Sequence, residues 1–237
     1  MKLLVLAGGF GTRLKTAIAD VPKALAPIGG IPFLQFQLEN WVSQGLREFT
    51  FLLHHQADQI IAFLQAQQAE LLKDCQVDFL IEPTPMGTGG AIAHAVKMLD
   101  LKYDFLLTNA DTWLGGGIHD MMQSAAPTLA VVNLADISRY GKVNFDNAYN
   151  VTSFDEKKGV FFAGWVNAGL YHLNVGLFKN RGCKPFSLEH DLFASLVQDC
   201  RLTALPINTD FIDIGVPADY YRFCRWVAAG RKDPLCN

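Results

Sequence analysis

Several things are scarce in this chain of 237 residues. Charge is one: Asp, Glu, Lys and Arg make up 18% of it, the formal net charge is -3, and no stretch concentrates Lys and Arg. A chain so balanced lacks the basic face that a nucleic-acid backbone or an anionic membrane asks for, so neither is an expected partner. Cysteine is another. The five are Cys75, Cys183, Cys200, Cys224 and Cys236, an odd number without a CxxC pair. That pattern argues against a disulfide framework or a zinc site and points to a reducing compartment. No apolar run approaches the roughly 20 residues needed to cross a bilayer. The apolar start is broken at once by glycines and Arg13, too short for the core of a signal peptide, so a cytoplasmic location is expected. Low-complexity segments, linkers and internal repeats are missing too.

What is present is a core. Half of the residues are hydrophobic, enough for a sizeable globular domain at this length. The first half alternates short aliphatic runs with helical patterns. "KLLVLA", "EFTFLLH", "VDFLIE" and "YDFLLTNAD" read as strands, and "PFLQFQLENWVSQG", "ADQIIAFLQAQQAELL" and "GTGGAIAHAVKML" as helices. Such alternation predicts a mainly parallel sheet flanked by helices, an α/β fold of Rossmann-like type. Ligands of such sheets sit outside the carboxyl ends of the strands. Those ends carry the glycine loop, His54 and His55, Glu82 and Asp111, which are expected to converge on one crevice.

The second half reads differently. "TLAVVNLAD", "GKVNFD", "NVTSFDE", "VFFAGW" and "VNAGLYHL" are short strands between turn residues and predict a small antiparallel lobe. Ser187 is placed to cap a helix over "LEHDLFASLVQD", with Glu189 and Asp191 in its first turn. "LTALPI" and "DFIDIG" are strands, Pro217 opens a last helix, and "RKDPLCN" is expected to fray. The expected organisation is one domain over 1–237, with a nucleotide-binding half to about 110 and a second half over about 111–221.

The most specific feature is the loop after the first strand, "LAGGFGTRL", with "PK" at Pro22–Lys23. Glycines let backbone N–H groups approach an anion. Arg13 adds a permanently charged fork for phosphate oxygens. The spacing is neither that of the dinucleotide loop nor that of the Walker loop. This speaks against a nicotinamide-dependent dehydrogenase.

The loop resembles the signature of the sugar-1-phosphate nucleotidyltransferases, which carry L-A-G-G-x-G-T-R-L followed by P-K. Leu6–Leu14 matches without a mismatch, although Gly30 stands where that family often has Lys. Further segments match in order: "EPTPMGTGGAI" with Glu82, Gly87 and Thr88, and "TNADTWL" with Asp111, where Ala110 replaces the usual glycine. Then come "RYGKVNFD" with Gly141, "SFDEKK" with Glu156 and Lys157, "VNAGLYHL" with Asn167, and "FIDIGVP" with Asp213. The likeness runs from residue 3 to about 221. It lacks the C-terminal β-helix domain frequent in the family, so no acetyltransferase activity is implied.

The resemblance implies roles. Leu6, Ala7, Gly8, Gly9, Gly11, Thr12 and Arg13 would bind the nucleotide, with Lys23, Glu82, Gly87 and Thr88. Asp111, Gly141, Glu156, Lys157 and Asn167 would bind the sugar phosphate. Arg13, Lys23, Asp111 and Asp213 would be catalytic, and Asp111 and Asp213 would share Mg²⁺. The substrates would be a nucleoside triphosphate and a sugar 1-phosphate, and a homodimer is a candidate assembly. Because a phosphate monoester with a second pKa of about 6 is already mostly a dianion at neutral pH, no general base is needed, and none is evident. A non-catalytic sensor on the same fold should have lost one of the four charged residues.

Glu82 sits where the base should lie. A carboxylate accepts two hydrogen bonds, and guanine offers two adjacent donors where uracil and thymine offer one, which favours GTP. The compact length, "FSLEHDLF" and "FIDIGVPADYYRF" resemble the bacterial D-glycero-α-D-manno-heptose-1-phosphate guanylyltransferases, which serve surface-polysaccharide synthesis. Mannose-1-phosphate guanylyltransferases and N-acetylmuramate-1-phosphate uridylyltransferases are the neighbouring alternatives.

Overall fold

Leu3–Leu6 forms the first strand because it is a short aliphatic run in which Leu3, Leu4 and Val5 are fully buried, as a strand covered on both faces requires. The computed structural model describes residues 1–11, 13–14, 18, 20–155, 162–179, 181–182, 184–232 and 235. In chain order the strands are β1 (Leu3–Leu6), β2 (Pro27–Ile28), β3 (Ile31–Pro32), β4 (Glu48–Leu53), β5 (Gln76–Ile81), β6 (Phe105–Asn109) and β7 (Thr112–Leu114). They continue with β8 (Thr128–Leu134), β9 (Lys142–Phe145), β10 (Val151–Asp155), β11 (Gly164–Leu173), β12 (Thr203–Pro206) and β13 (Phe211–Asp213). The helices are α1 (Phe33–Ser43), α2 (Ala57–Gln67), α3 (Gly87–Met98), α4 (Ile118–Gln123), α5 (Gly176–Lys179), α6 (Ala194–Gln198) and α7 (Pro217–Ala228).

Two compact units can be distinguished. The first comprises Met1–Thr84, Thr108–Gly116 and Asp210–Leu235, the second Pro85–Leu107 and Gly117–Thr209. In the first, β1, β4 and β5 pair in parallel, with Leu3 opposite Phe49 and Phe49 opposite Val77. The Ala110 N–H, just past β6, donates to Leu6 O at 3.0 Å. A two-stranded antiparallel ribbon sets Asp213 of β13 opposite Thr112 of β7. Behind it lies an aromatic core in which Phe223 of α7 meets Phe33, Phe36, Trp113 and Trp226 at 5.0–6.1 Å between ring centres.

The second unit is built on β8, β9, β10, β11 and β12. β8 and β11 are antiparallel, as are β9 and β10, while β12 runs parallel to β8. The ladder between β11 and β8 shifts register between Asn167 and Tyr171, and Gly169 in that bulge has φ +72°. Ser187 caps as expected, its hydroxyl accepting from the His190 N–H, but the helix opens with a π-helical turn over Leu188–Phe193 before α6. The glycines that open α3 answer a packing need: a Cβ on Gly89 would stand 2.1 Å from the Phe186 ring, and one on Gly90 2.8 Å from Lys184 O.

The mainly parallel sheet with helices and small antiparallel parts agrees with the fold read from the sequence. Three local expectations are corrected. Val160 and Phe161 of "VFFAGW" lie outside the described residues, and its last two residues join "VNAGLYHL" in one strand, Gly164–Leu173, whose register shifts at the Gly169 bulge. The helix begun at Ala57 ends at Gln67, well before Leu72. In the C-terminal tail, of which residues 233–234 and 236–237 lie outside the described residues, Arg231 and Leu235 do not fray. Leu235 is 4% exposed, its N–H donates to Asp210 Oδ1, and the Arg231 guanidinium lies over Phe36, Trp113 and Trp226 at 5.1, 5.4 and 5.6 Å. Apolar and cation–π contacts outweigh the polar look of that segment.

Candidate functional site

A cavity of about 220 Å³ opens in the first unit beside the glycine loop. Gly9, Gly11 and Arg13 form one side, and Lys23, Asp111 and Gly215 another. Leu6 and Ala7 line it as well, because β1 ends there and Ala7 is held by an N–H bond to Leu52 O at 2.9 Å. Gly11 has φ +58°, in the left-handed region that a side chain disfavours, and its carbonyl accepts from the Leu14 N–H to close the turn. Gly8 lies outside the lining. A Cβ there would stand 3.0 Å from Glu82 Oε1 and 3.2 Å from His54 Cβ, so a side chain would crowd the close approach of the loop to the end of β5.

Lys23 sits at the start of a single 3₁₀ turn, Lys23–Leu25, fixed in direction by Pro22. Its ammonium donates to Asp111 Oδ2 at 2.5 Å and to Asp213 Oδ1 at 3.3 Å. The lysine side chain is 13% exposed, the two aspartates 35% and 38%. Burial works to lower the Lys23 pKa, but the two carboxylates outweigh it and the net shift is upward. The lysine is a cation throughout the neutral range. Asp213 is shifted upward as well, first by burial and then by the negative charge of Asp111, against the opposing pull of Lys23 and the Gly215 N–H. That N–H donates to Asp213 Oδ1 at 2.7 Å. A Cβ on Gly215 would stand 2.8 Å from that oxygen and 2.9 Å from Lys23 Nζ, so the glycine leaves room for the three charged groups.

Both aspartates hang on the ribbon of β7 and β13, because the Ile214 N–H donates to Asp111 O at 3.0 Å. Two carboxylates thus stand around one side-chain cation, next to the glycine loop. Gly215, Pro22, Ala24 and Ala110 also line the cavity, although sequence reasoning does not mark them as site residues. The "DIG" of "FIDIGVP" was the available signal for Gly215.

The other expected residues fall as follows. Glu82 is buried (8% exposed) and its carbonyl lies 3.2 Å from His54 Nδ1; it does not line the 220 Å³ cavity. The exposed Phe10 ring packs against His54 and His55 at 5.8 and 5.2 Å. In the second unit, Gly87 has φ +67°. Thr88 Oγ1 accepts from the Leu188 N–H and donates to Glu189 Oε2. Asn167 Nδ2 donates to the Tyr171 hydroxyl at 2.9 Å and its Oδ1 accepts from the Gly169 N–H. Gly141 backs onto Asp155, whose carbonyl a Cβ would meet at 3.1 Å. Thr12, Glu156 and Lys157 lie outside the described residues. Among the described residues no helix is long and apolar enough to cross a membrane, and Cys75, Cys200 and Cys224 are free thiols.

The nucleotidyl transferase family pattern matches residues 2–228. The D-glycero-alpha-D-manno-heptose 1-phosphate guanylyltransferase of Campylobacter jejuni is 34% identical over 226 residues, covering 94% of this chain and 98% of that enzyme. A probable mannose-1-phosphate guanylyltransferase of Oryza sativa is 32% identical over 93% of this chain, which spans 63% of that protein. The crystal structure of HddC from Yersinia pseudotuberculosis complexed with GMP-PN superposes with a TM-score of 0.82, at 32% identity, over 95% of this chain and 99% of that one.

Proposed function

This chain belongs to the nucleotidyl transferase family, and on that premise we propose that it joins the GMP unit of GTP to D-glycero-α-D-manno-heptose 1-phosphate. The products are GDP-heptose and pyrophosphate. The observation that carries the reading is the glycine-loop cavity in which Lys23 bridges Asp111 and Asp213. The heptose and the guanine rest on full-length similarity to the C. jejuni guanylyltransferase.

The reaction needs little covalent chemistry from the protein. An oxygen of the sugar phosphate attacks the α-phosphorus of GTP, a new P–O bond forms, and the bond to the β-phosphate breaks as pyrophosphate leaves. The nucleophile is already anionic at neutral pH, so catalysis rests on positioning and charge neutralisation. Loop N–H groups from Gly8 to Gly11 and the Arg13 guanidinium would hold the β- and γ-phosphates. Lys23 would turn from the aspartates toward the α-phosphate as its charge grows. Glu82 would accept from the guanine edge, and Gly87 and Thr88 would also bind the nucleotide. Lys157 would hold the sugar phosphate, and Glu156, Asn167 and the Gly141 backbone would take sugar hydroxyls.

Asp111 and Asp213 fit a divalent ion. They already surround one positive charge, Gly215 keeps that space open, and Mg²⁺ favours one or two carboxylates completed by phosphate oxygens. When bound, Mg²⁺ would supply charge neutralisation between the two substrates. The setting we propose is the cytoplasm, in keeping with the free thiols.

The test is a grid of GTP, UTP, CTP and dTTP against heptose, mannose and N-acetylmuramate 1-phosphates, read by pyrophosphate release. The highest kcat/KM is expected for GTP with heptose 1-phosphate. Preference for mannose 1-phosphate with GTP would move the assignment to the sugar of the rice relative. Equal or better use of another triphosphate would refute the base.

A further inference from the structure

α1 carries a stripe of buried residues, Phe33, Leu34, Phe36, Leu38 and Trp41, and one member of that stripe is polar: Gln37, 1% exposed. Its Oε1 is buried without a hydrogen-bond partner, which weighs against folding. Its amide N–H₂ is well used. Gln37 Nε2 donates to Thr112 O at 2.7 Å and lies 3.4 Å from Asn109 O. These two carbonyls stand on either side of Asp111. The turn they bracket is anchored from two further directions, by the Ala110 N–H on Leu6 O and by the Ile214 N–H on Asp111 O. Gln37 supplies side-chain anchors of the backbone segment that carries Asp111.

We propose that Gln37 is a positioning residue for nucleotidyl transfer: it fixes the backbone around Asp111 so that this carboxylate and Asp213 meet a divalent ion at the right separation. Gln37 lies one layer behind the cavity and touches no substrate. The proposal rests on the reading that Asp111 and Asp213 hold the metal. Asn40, one turn further along α1, offers an internal comparison. Its Nδ2 donates to Leu114 O at 2.8 Å, the same kind of tie from the same helix to the same ribbon, three residues beyond Asp111.

The experiment uses Gln37→Met, Asn40→Leu and Asp111→Asn in the full chain. Mn²⁺ binding is read by electron paramagnetic resonance with GTP present and no sugar phosphate. GTP binding in EDTA and the thermal midpoint are read alongside. Gln37→Met is expected to raise the Mn²⁺ dissociation constant by about 10-fold or more, as removal of an outer-shell support does, with GTP binding in EDTA unchanged. Asn40→Leu should lower the thermal midpoint comparably and leave Mn²⁺ binding as in the wild type. Asp111→Asn should lose it. An unchanged Mn²⁺ constant in Gln37→Met, or equal weakening in Gln37→Met and Asn40→Leu, overturns the positioning role while the metal reading stands. Wild-type Mn²⁺ binding by Asp111→Asn overturns both. Should Gln37→Met fail to fold, Gln37→Glu keeps the shape and loses a donor. It is expected to weaken Mn²⁺ binding, and an unchanged constant there counts against the proposal.

Discussion

Lys23 Nζ lies 2.5 Å from Asp111 Oδ2, although 88 positions separate the two residues in sequence. The lysine comes from a 3₁₀ turn behind the glycine loop and the aspartate from the turn after β6. With Asp213 at 3.3 Å, the three form a charge cluster in which a side-chain cation stands between two carboxylates.

Removing that cation leaves the carboxylates facing each other. Lys23→Met is expected to lower kcat by about 100- to 1,000-fold, the usual size of one lost charge-stabilising group. It should also make the protein respond more to metal. In thermal shift measurements Mg²⁺ should raise the midpoint more in Lys23→Met than in the wild type, because the ion then relieves repulsion that Lys23 otherwise cancels. An equal Mg²⁺ response in both would show that lysine and metal do not share the space.

The raised pKa of Asp213, from burial and the neighbouring Asp111 charge, sets a direction for pH. Folded Asp213 takes up a proton at a higher pH than a free aspartate. As pH falls through that raised range the carboxylate is lost as a ligand, so the half-saturating Mg²⁺ concentration should rise on acidification. In the metal-free protein the sign for stability is the reverse. The folded state holds the proton more tightly, so the contribution of this group is greatest at low pH and is lost as pH climbs through the folded pKa. Titrating Mg²⁺ at several pH values, in the wild type and in Asp213→Asn, reads the first effect.

Tyr220 on α7 donates its hydroxyl to Pro27 O at 2.5 Å, and burial, with Cys224 beside it, pushes its pKa up to about 12. An unfolded tyrosine ionises near pH 10. The contribution is therefore complete below about pH 10 and lost as pH rises from there toward 12. Tyr220→Phe should remove this alkaline loss and cost about 1–2 kcal/mol at neutral pH, since Pro27 O loses its donor. Denaturant unfolding at pH 7 and pH 11 measures both.

Arg231 rests over three rings at the C-terminal end of the first unit. Arg231→Ala is expected to cost about 1–2 kcal/mol and to shift the emission of Trp113 and Trp226, without changing the KM for GTP. A normal thermal midpoint in this variant would mean that the contacts carry no weight.

Much of this is legible in the sequence alone. The glycine loop announces itself because its conformational demand is local, and Asp111 because a polar residue ending an aliphatic strand marks the ligand side of a parallel sheet. Asp213 could be read only by resemblance, since nothing near it in sequence tells that β13 pairs with β7. The Lys23 bridge was not legible: it joins residues 88 and 190 positions apart. Gln37 left a faint trace, a polar residue in a buried helical stripe, but its partners are carbonyls, which sequence does not distinguish. The tail was misread because Arg231 and Leu235 look polar or isolated in sequence yet find aromatic and backbone partners in space.

The most direct measurement is pyrophosphate release from GTP and D-glycero-α-D-manno-heptose 1-phosphate with Mg²⁺, comparing the wild type with Asp111→Asn. Robust turnover by the wild type and a loss of at least about 100-fold in a folded Asp111→Asn protein is the expected result. Equal turnover by the two proteins, or none by the wild type, would contradict a guanylyl transfer centred on Lys23, Asp111 and Asp213.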